Sequence, residues 1–427
     1  MNRLLSLLSL GCALAGAQTT LKLTLHEAVA LALRQSPDIT LARLDQQKAA
    51  LQIDVVREPL WPRVYAGSGI AYSNGFPMSI DGAAPSIVQA RAVRTMFSRP
   101  QSLQVAQARE AARGAGIAAD AVEDEVALKT ATFYLELEKA ARALELAALQ
   151  AEELGRVEAL VRVRVASGKE LEIEGKRAAL NLARQRQRRG LLEGHTRQFS
   201  DALAAILGLE PGTRIEPARE ERADLAVPAT EQSSVEQALQ ASPELRKLES
   251  AIAEKNLAAR GFRAMRYPKV DLIAQYGLFA KFNHYTDYFQ TFQRNNGEIG
   301  LAVSVPLFAN PQDRAQAAQA SLEVRRLQTE VGSARARVTN DARQAFAQVR
   351  EAEIAREISG LDLDLAREQT GTALAQMEAG KATLKEVELA RYAEQERWLQ
   401  LYESRAQVEQ ARFELLRETR SLARLMR

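Results

Sequence analysis

The sequence predicts a mainly α chain with a β-barrel part, built as two structural repeats, and three observations carry that prediction. Proline is absent from two very long stretches. The aromatic residues crowd into two short windows with alternating apolar and polar positions. Landmarks of the first half recur in the second at a fixed offset.

None of the 13 prolines falls between Gln101 and Glu210, and none follows Pro311. Without a residue that removes a backbone donor and clashes with the preceding turn, these stretches are free to form helices of unusual length. From Leu327 onward, Val331, Ala334, Val338, Ala345, Val349 and Ala352 fall at spacings of three, four and one seven, the pattern of a coiled-coil seam. Alanine in a seam implies close helix approach. Gly168 and Gly380 interrupt the two stretches, so each reads as a helical hairpin whose longer arm runs for about 60 residues, or roughly 90 Å at 1.5 Å per residue.

Of the 23 Phe, Trp and Tyr residues, 15 lie within Trp61 to Phe97 or Phe262 to Phe308. In the second window Val270, Leu272, Ala274, Tyr276, Leu278, Ala280 and Phe282 alternate with Lys269, Asp271, Ile273, Gln275, Gly277, Phe279 and Lys281. A period of two with one mostly apolar face predicts a strand. Ile299, Leu301, Val303, Val305 and Leu307 then alternate with Glu298, Gly300, Ala302 and Ser304, a return strand of bilayer-crossing length. The loop Phe282 to Asn296 joins them. In the first window Val64, Ala66, Ile70 and Tyr72 share a face, a loop runs from Pro77 to Pro85, and Val88, Ala90 and Ala92 alternate with Gln89 and Arg91. There Arg94 falls on the apolar face, which is costly in lipid unless it sits at an interface.

Ser36-Pro37-Asp38 recurs as Ser242-Pro243-Glu244 and Trp61-Pro62-Arg63-Val64 as Tyr267-Pro268-Lys269-Val270, both at an offset of 206 residues. Gly168-Lys169 and Glu174 recur as Gly380-Lys381 and Glu386 at an offset of 212, so the second half carries about six extra residues between these landmarks. Duplication is the economical explanation. Pro211, Gly212, Pro217 and Pro228 break the pattern between the halves. The predicted organisation is a signal peptide at 1–17, a first repeat at 18–208 with a strand pair at about 62–98, a linker at 209–232, and a second repeat at 233–427 with a strand pair at about 268–308.

At the N-terminus, Arg3 precedes an apolar run from Leu4 to Leu14, and Ala15-Gly16-Ala17 offers a small-residue cleavage site, as in a secretory signal peptide. Cys12 is the sole cysteine, and cleavage after Ala17 leaves a mature chain without thiol or disulfide chemistry. The competing reading makes Cys12 a lipid anchor, since Gly11 precedes it, although Ser9 stands where a lipoprotein signal usually has leucine. No later run of about 18 apolar residues occurs, so any membrane span is expected to be a β-barrel.

A formal net charge of +3 gives no polyanion-binding surface, and nucleic acid is not an expected partner. Arg184, Arg186, Arg188 and Arg189 form a basic run without interleaved aromatic residues to stack bases, so a solvated helix face is expected. His26, His195 and His284 are too scattered for metal-ligand spacing, and no cofactor or catalytic constellation is expected. Gly67-Ser68-Gly69 lies in a strand and lacks the third glycine and helix of a dinucleotide fingerprint.

Taken together, the strings Leu25-His26-Glu27-Ala28-Val29-Ala30-Leu31-Ala32-Leu33 before Ser36-Pro37, Tyr267-Pro268-Lys269-Val270, Val305-Pro306-Leu307-Phe308, and Ala202-Leu203-Ala204-Ala205-Ile206-Leu207-Gly208 resemble, in that order, the outer-membrane efflux protein (TolC-like) family. That resemblance implies long α-helical hairpins forming a trans-periplasmic tunnel, four outer-membrane β-strands per protomer, and a homotrimer closing one barrel in outer-membrane lipid. It implies a passive conduit for efflux or type I secretion, working with a periplasmic adaptor protein and an inner-membrane transporter. It places adaptor-docking tips at Gly168, Lys169, Gly380 and Lys381, and a pore gate of carboxylates at Glu174 and Glu386. The arginine that some members carry two residues after the second glycine is replaced by Ala382, with Lys381 or Lys385 as possible substitutes. A periplasmic adaptor is the competing reading, but it would carry one hairpin flanked by β-domains rather than two strand pairs; a cytoplasmic coiled-coil scaffold is disfavoured by the signal peptide.

Overall fold

The computed structural model describes residues 20–68, 86–220, 222, 225–279, 286, 290, 293–308, 310–382, 384–420 and 422–426. Cys12 and the expected signal peptide, Ile70, Tyr72, the loop Pro77 to Pro85, Ala280, Phe282 and His284 lie outside these residues. The chain forms two compact units: residues 1–40, 122–240 and 340–427 make the first, and residues 41–121 and 241–339 the second. No described helix is long and apolar enough to cross a membrane.

The repeated prolines punctuate the fold. Helix α1 (Leu25–Gln35) opens on a capping box in which Thr24 and Glu27 satisfy each other's backbone N–H groups. It stops at Ser36, whose extended backbone is what a residue before proline prefers, and Pro37 begins α2 (Pro37–Arg57). Their counterparts α5 (Glu231–Ala241) and α6 (Pro243–Ala264) are divided by Ser242, which caps α6 by accepting from the Leu245 N–H. A 3-10 turn, Glu58–Leu60, then carries the first repeat into its strands just past Trp61-Pro62.

The second unit holds a four-stranded antiparallel sheet in the order β2 (Arg63–Gly67), β3 (Ser86–Ser98), β5 (Lys269–Phe279), β6 (Asn295–Ser304). Residues directly opposite share a face. The register therefore puts Val64, Ala66, Val88, Ala90, Ala92, Leu272, Ala274, Leu278, Ile299, Leu301 and Val303 on one side. Tyr65, Arg91, Gln275, Glu298, Thr95 and Asp271 occupy the other. Arg94 stays on the apolar side but at the helical end of β3, where its Nε donates to the Leu60 carbonyl at 3.2 Å, and a bulge between Thr95 and Phe97 resets the register just beyond it. β6 stops at Ser304, short of the alternation expected through Val305 and Leu307, because Pro306 has no N–H for a ladder. Gln101 donates to the Val56 carbonyl and Ser250 to the Glu110 carbonyl, packing the helices of this unit together.

Two long helices begin where the strands end. Helices α3 (Arg99–Ala166) and α7 (Pro311–Glu378) have 68 residues each, and their return partners α4 (Glu172–Ile206) and α8 (Leu384–Glu418) have 35 each. All four start positions keep the 212-residue offset, so the extra residues of the second half lie between Pro268 and Pro311. At 1.5 Å per residue the longer arms hold about 100 Å of helix. In the α7 seam Ala334, Val338, Ala345 and Val349 are buried, and the gap of seven is filled by Ala342, which is fully buried as well.

A large apolar core lies around α1 in the first unit. Ala28, Val29 and Ala32 of α1 meet Ala127, Ala131, Tyr134 and Leu137 of α3, Leu203 and Leu207 at the end of α4, and Phe413 and Leu416 of α8. A two-stranded parallel sheet, β1 (Thr20–Leu23) with β4 (Arg214–Pro217), closes it, and Tyr134 Oη donates to the Leu23 carbonyl at 2.9 Å. A short helix, α9 (Leu422–Leu425), ends the described chain.

Candidate functional site

Both hairpins turn by the same chemistry. Gly168 and Gly380 adopt φ of 69° and 72°, the left-handed region that an L side chain resists. The Lys169 N–H reaches back to the Arg164 carbonyl at 2.9 Å and the Gly168 N–H to Val165 at 3.0 Å. In the second hairpin Lys381 bonds Gln376 at 2.8 Å and Gly380 bonds Met377 at 2.9 Å. This pair of bonds closes a helix C-terminus and sends the chain back. Lys169 and Lys381 are exposed beside their glycines.

Glu174 and Glu386 stand at equivalent places, each the third residue of its return helix, where a carboxylate suits the helix N-terminal dipole. Glu174 accepts from Arg177 at 2.5 Å, and Glu386 is exposed. The fold thus brings Gly168, Lys169 and Glu174 onto one turn and Gly380, Lys381 and Glu386 onto another.

Above the tips, a buried amide relay ties three helices together. Gln185 of α4 donates to Gln150 Oε1 at 2.8 Å and to the Ala147 carbonyl at 3.3 Å, and Gln150 of α3 donates to Gln395 of α8 at 2.9 Å. Arg188, from the basic run, pairs with Glu396 at 2.9 Å, and Arg189 with Glu193 at 2.8 Å. Ion pairs Arg397–Asp362 at 3.4 Å and Arg412–Glu353 at 2.9 Å hold the α7–α8 hairpin.

The sequence reading missed a charge hub built by the inter-repeat segment. Arg222 reaches Glu138 of α3 at 2.8 Å, Glu409 of α8 at 2.9 Å and Glu220 at 3.6 Å. Burial opposes the guanidinium charge, but Glu409 and Glu138 outweigh it and hold the group above its ordinary range. Burial, then the Glu138 charge, pushes the nearby Tyr134 and Tyr402 hydroxyls up. Asp124 pairs with Arg420 at 2.7 Å and accepts from the Ala423 N–H at 3.4 Å, fastening α9 to α3. Burial nonetheless raises its carboxyl above the usual range. One of three arginines scattered among the acids of a proline-containing segment, Arg222 gives no sequence signal of such a role. His195 lies edge-on to Phe199 with ring centroids 6.5 Å apart. No group of three or more metal-ligating side chains occurs among the described residues.

No protein-family model matches the sequence, and no curated protein matches it. Solved structures do. The Campylobacter jejuni CmeC outer membrane channel aligns over 92% of this chain and 85% of its own, with a TM-score of 0.74 at 12% identity. CusC, described in terms of transmembrane channel formation, aligns over 93% and 92%, with a TM-score of 0.73 at 15% identity. The open state of the Neisseria gonorrhoeae MtrE outer membrane channel aligns over 92% and 88%, with a TM-score of 0.69 at 15% identity. The chain therefore has the fold of the outer-membrane channels, the one expected from its resemblance to the efflux protein family.

Proposed function

We propose that this chain is one protomer of a homotrimeric outer-membrane channel, the passive exit duct of a tripartite efflux or type I secretion system. The observation that carries this reading is the four-stranded sheet, apolar on one face, polar on the other and open at both edges. Four strands cannot close a barrel, and unpaired N–H and C=O groups cannot be left in lipid. A trimer, as the resemblance implies, supplies twelve strands and joins β2 of one copy to β6 of the next, with the apolar side against outer-membrane lipid. Residues 1–17 are the export signal, and 18–208 and 233–427 the two repeats joined by the linker 209–232. The helical hairpins reach into the periplasm, where Gly168, Lys169, Gly380 and Lys381 meet the adaptor that links the duct to an inner-membrane transporter. Glu174 and Glu386 line the periplasmic gate.

Fractionation and gel mobility test this. The mature protein should partition with outer membranes and run in mild detergent as a trimer that heating dissociates. Recovery as a soluble monomer without detergent would sink the proposal.

A further inference from the structure

The polar face of the sheet carries its charges unevenly. One row crosses all four strands: Tyr65 lies opposite Arg91, Arg91 opposite Gln275, and Gln275 opposite Glu298. Gln275 Nε2 donates to Glu298 at 2.6 Å, which fixes the carboxylate without neutralising it. Arg91 has an uncharged neighbour on each side in this row, and its Nε is buried without an acceptor among the described residues.

The other charges on this face among the described residues are locally matched. Asp271 accepts from Thr95 at 2.8 Å and pairs with Lys269 at 2.9 Å, and Arg63 pairs with Glu58 at 3.5 Å. Arg91 and Glu298, two strands apart, are separated by about 10 Å at the backbone. That exceeds the Debye length of about 8 Å at physiological ionic strength, so a passing ion senses each charge separately.

We infer that the row Tyr65, Arg91, Gln275 and Glu298 is a charge-selective band inside the barrel, separate from the gate glutamates, that presents both signs to charged and zwitterionic small solutes. This rests on the channel reading above, in which the polar face lines the lumen. Strand tilt of about 35–45° makes the band oblique, and three copies repeat the pair three times around the wall. Substitutions facing a barrel lumen tune selectivity, whereas the same charges on the lipid face would be expelled.

Planar bilayers of phosphatidylcholine holding the purified full-length channel under a KCl gradient provide the test. Near 10 mM salt, where the Debye length is about 30 Å, Arg91→Gln should move the K⁺/Cl⁻ permeability ratio severalfold towards cations and Glu298→Gln towards anions. The double variant should return towards wild type, and near 1 M salt, where the Debye length is about 3 Å, all shifts should collapse. Conducting channels in which neither substitution moves the reversal potential, or both move it the same way, overturn the band and leave the channel reading intact; a wild type that forms no channels overturns that reading. Should a neutral variant fail to insert, Arg91→His decides, because an imidazole facing the lumen must make the ratio depend on pH between about 5 and 8 beyond any wild-type trend. A ratio flat across that range refutes the assignment.

Discussion

Gly208→Ala should destabilise the protein far more than Gly168→Ala, although both glycines serve the same helix-ending geometry. Gly208 terminates α4 with φ of 67°, its N–H bonding Ala205 at 3.1 Å and the Leu209 N–H bonding Ala204 at 3.0 Å. A side chain in that region costs about 1–2 kcal/mol at either position. The surroundings then separate them. A Cβ at Gly168 meets nothing within 4 Å, whereas a Cβ at Gly208 comes within 2.8 Å of the Gln35 carbonyl oxygen and 3.3 Å of Pro37 Cδ. That oxygen is backbone at the α1–α2 break, so relief requires moving α1, whose Ala28, Val29 and Ala32 are fully buried in the core. Overpacking of this kind adds about 1–3 kcal/mol. The expected totals are about 1–2 kcal/mol for Gly168→Ala and about 2–5 kcal/mol for Gly208→Ala. Urea midpoints of the detergent-purified protein, followed by far-UV circular dichroism, would rank the two. Gly212→Ala, with φ of 91° and nothing within 4 Å, should behave like Gly168→Ala. Equal midpoints for Gly208→Ala and Gly168→Ala would refute the steric reasoning.

Gln185→Leu strands a buried Gln150 oxygen and should cost about 1–3 kcal/mol by the same assay; an unchanged midpoint would show that the relay is dispensable. For Asp124, the raised folded pKa means the folded chain holds the proton more tightly than the unfolded one. Its contribution to stability is therefore greatest at acid pH and falls as pH rises from the unfolded value, about 3.9, through the folded one. Asp124→Asn should remove that slope, and pH profiles that stay parallel to wild type would exclude it. Neutralising Glu174 and Glu386 together as glutamines should reduce cation preference and block by multivalent cations in bilayers; an unchanged reversal potential and block constant would assign both to an outer helix face. Replacing Lys169 and Lys381 with glutamate should weaken adaptor pull-down, while unchanged recovery and export would remove them from the interface.

The architecture was readable where one residue type forces the backbone. Pro37, Pro62, Pro243 and Pro268 sit at the helix breaks and strand entries because proline permits little else there, and the two hairpin pairs reproduce the repeat offset residue for residue. The period of two in Val270 to Leu278 survives as the face of β5 because a register slip would turn its apolar residues over. Glycine was more ambiguous. Gly155, Gly190, Gly332 and Gly371 ride inside helices, and in the sequence it is the 212-residue recurrence, not the residue type, that sets Gly168 and Gly380 apart from them. The parallel pairing of β1 with β4 was invisible, since four-residue strands beside Pro217 carry no periodicity. The same holds for Arg222 and the glutamine relay, because long-range polar partners leave no local spacing to detect.

The free edge of β6 has a consequence for how the protein is made. Every one of its ten residues is exposed, Glu298 is its only charge, and it contains neither lysine nor proline to blunt pairing. Such an edge templates any strand that arrives first. In the proposed trimer, each newly made chain is a candidate for aggregation until β2 of another copy docks there, and the competing reactions differ in how they depend on chain concentration. Yield is then set by kinetics rather than by the stability of the finished assembly: slow synthesis favours correct partners, and overexpression favours misassembled strands. A lysine introduced midway along β6 would trade the two, improving the solubility of single chains while impairing closure of the trimeric ring proposed above.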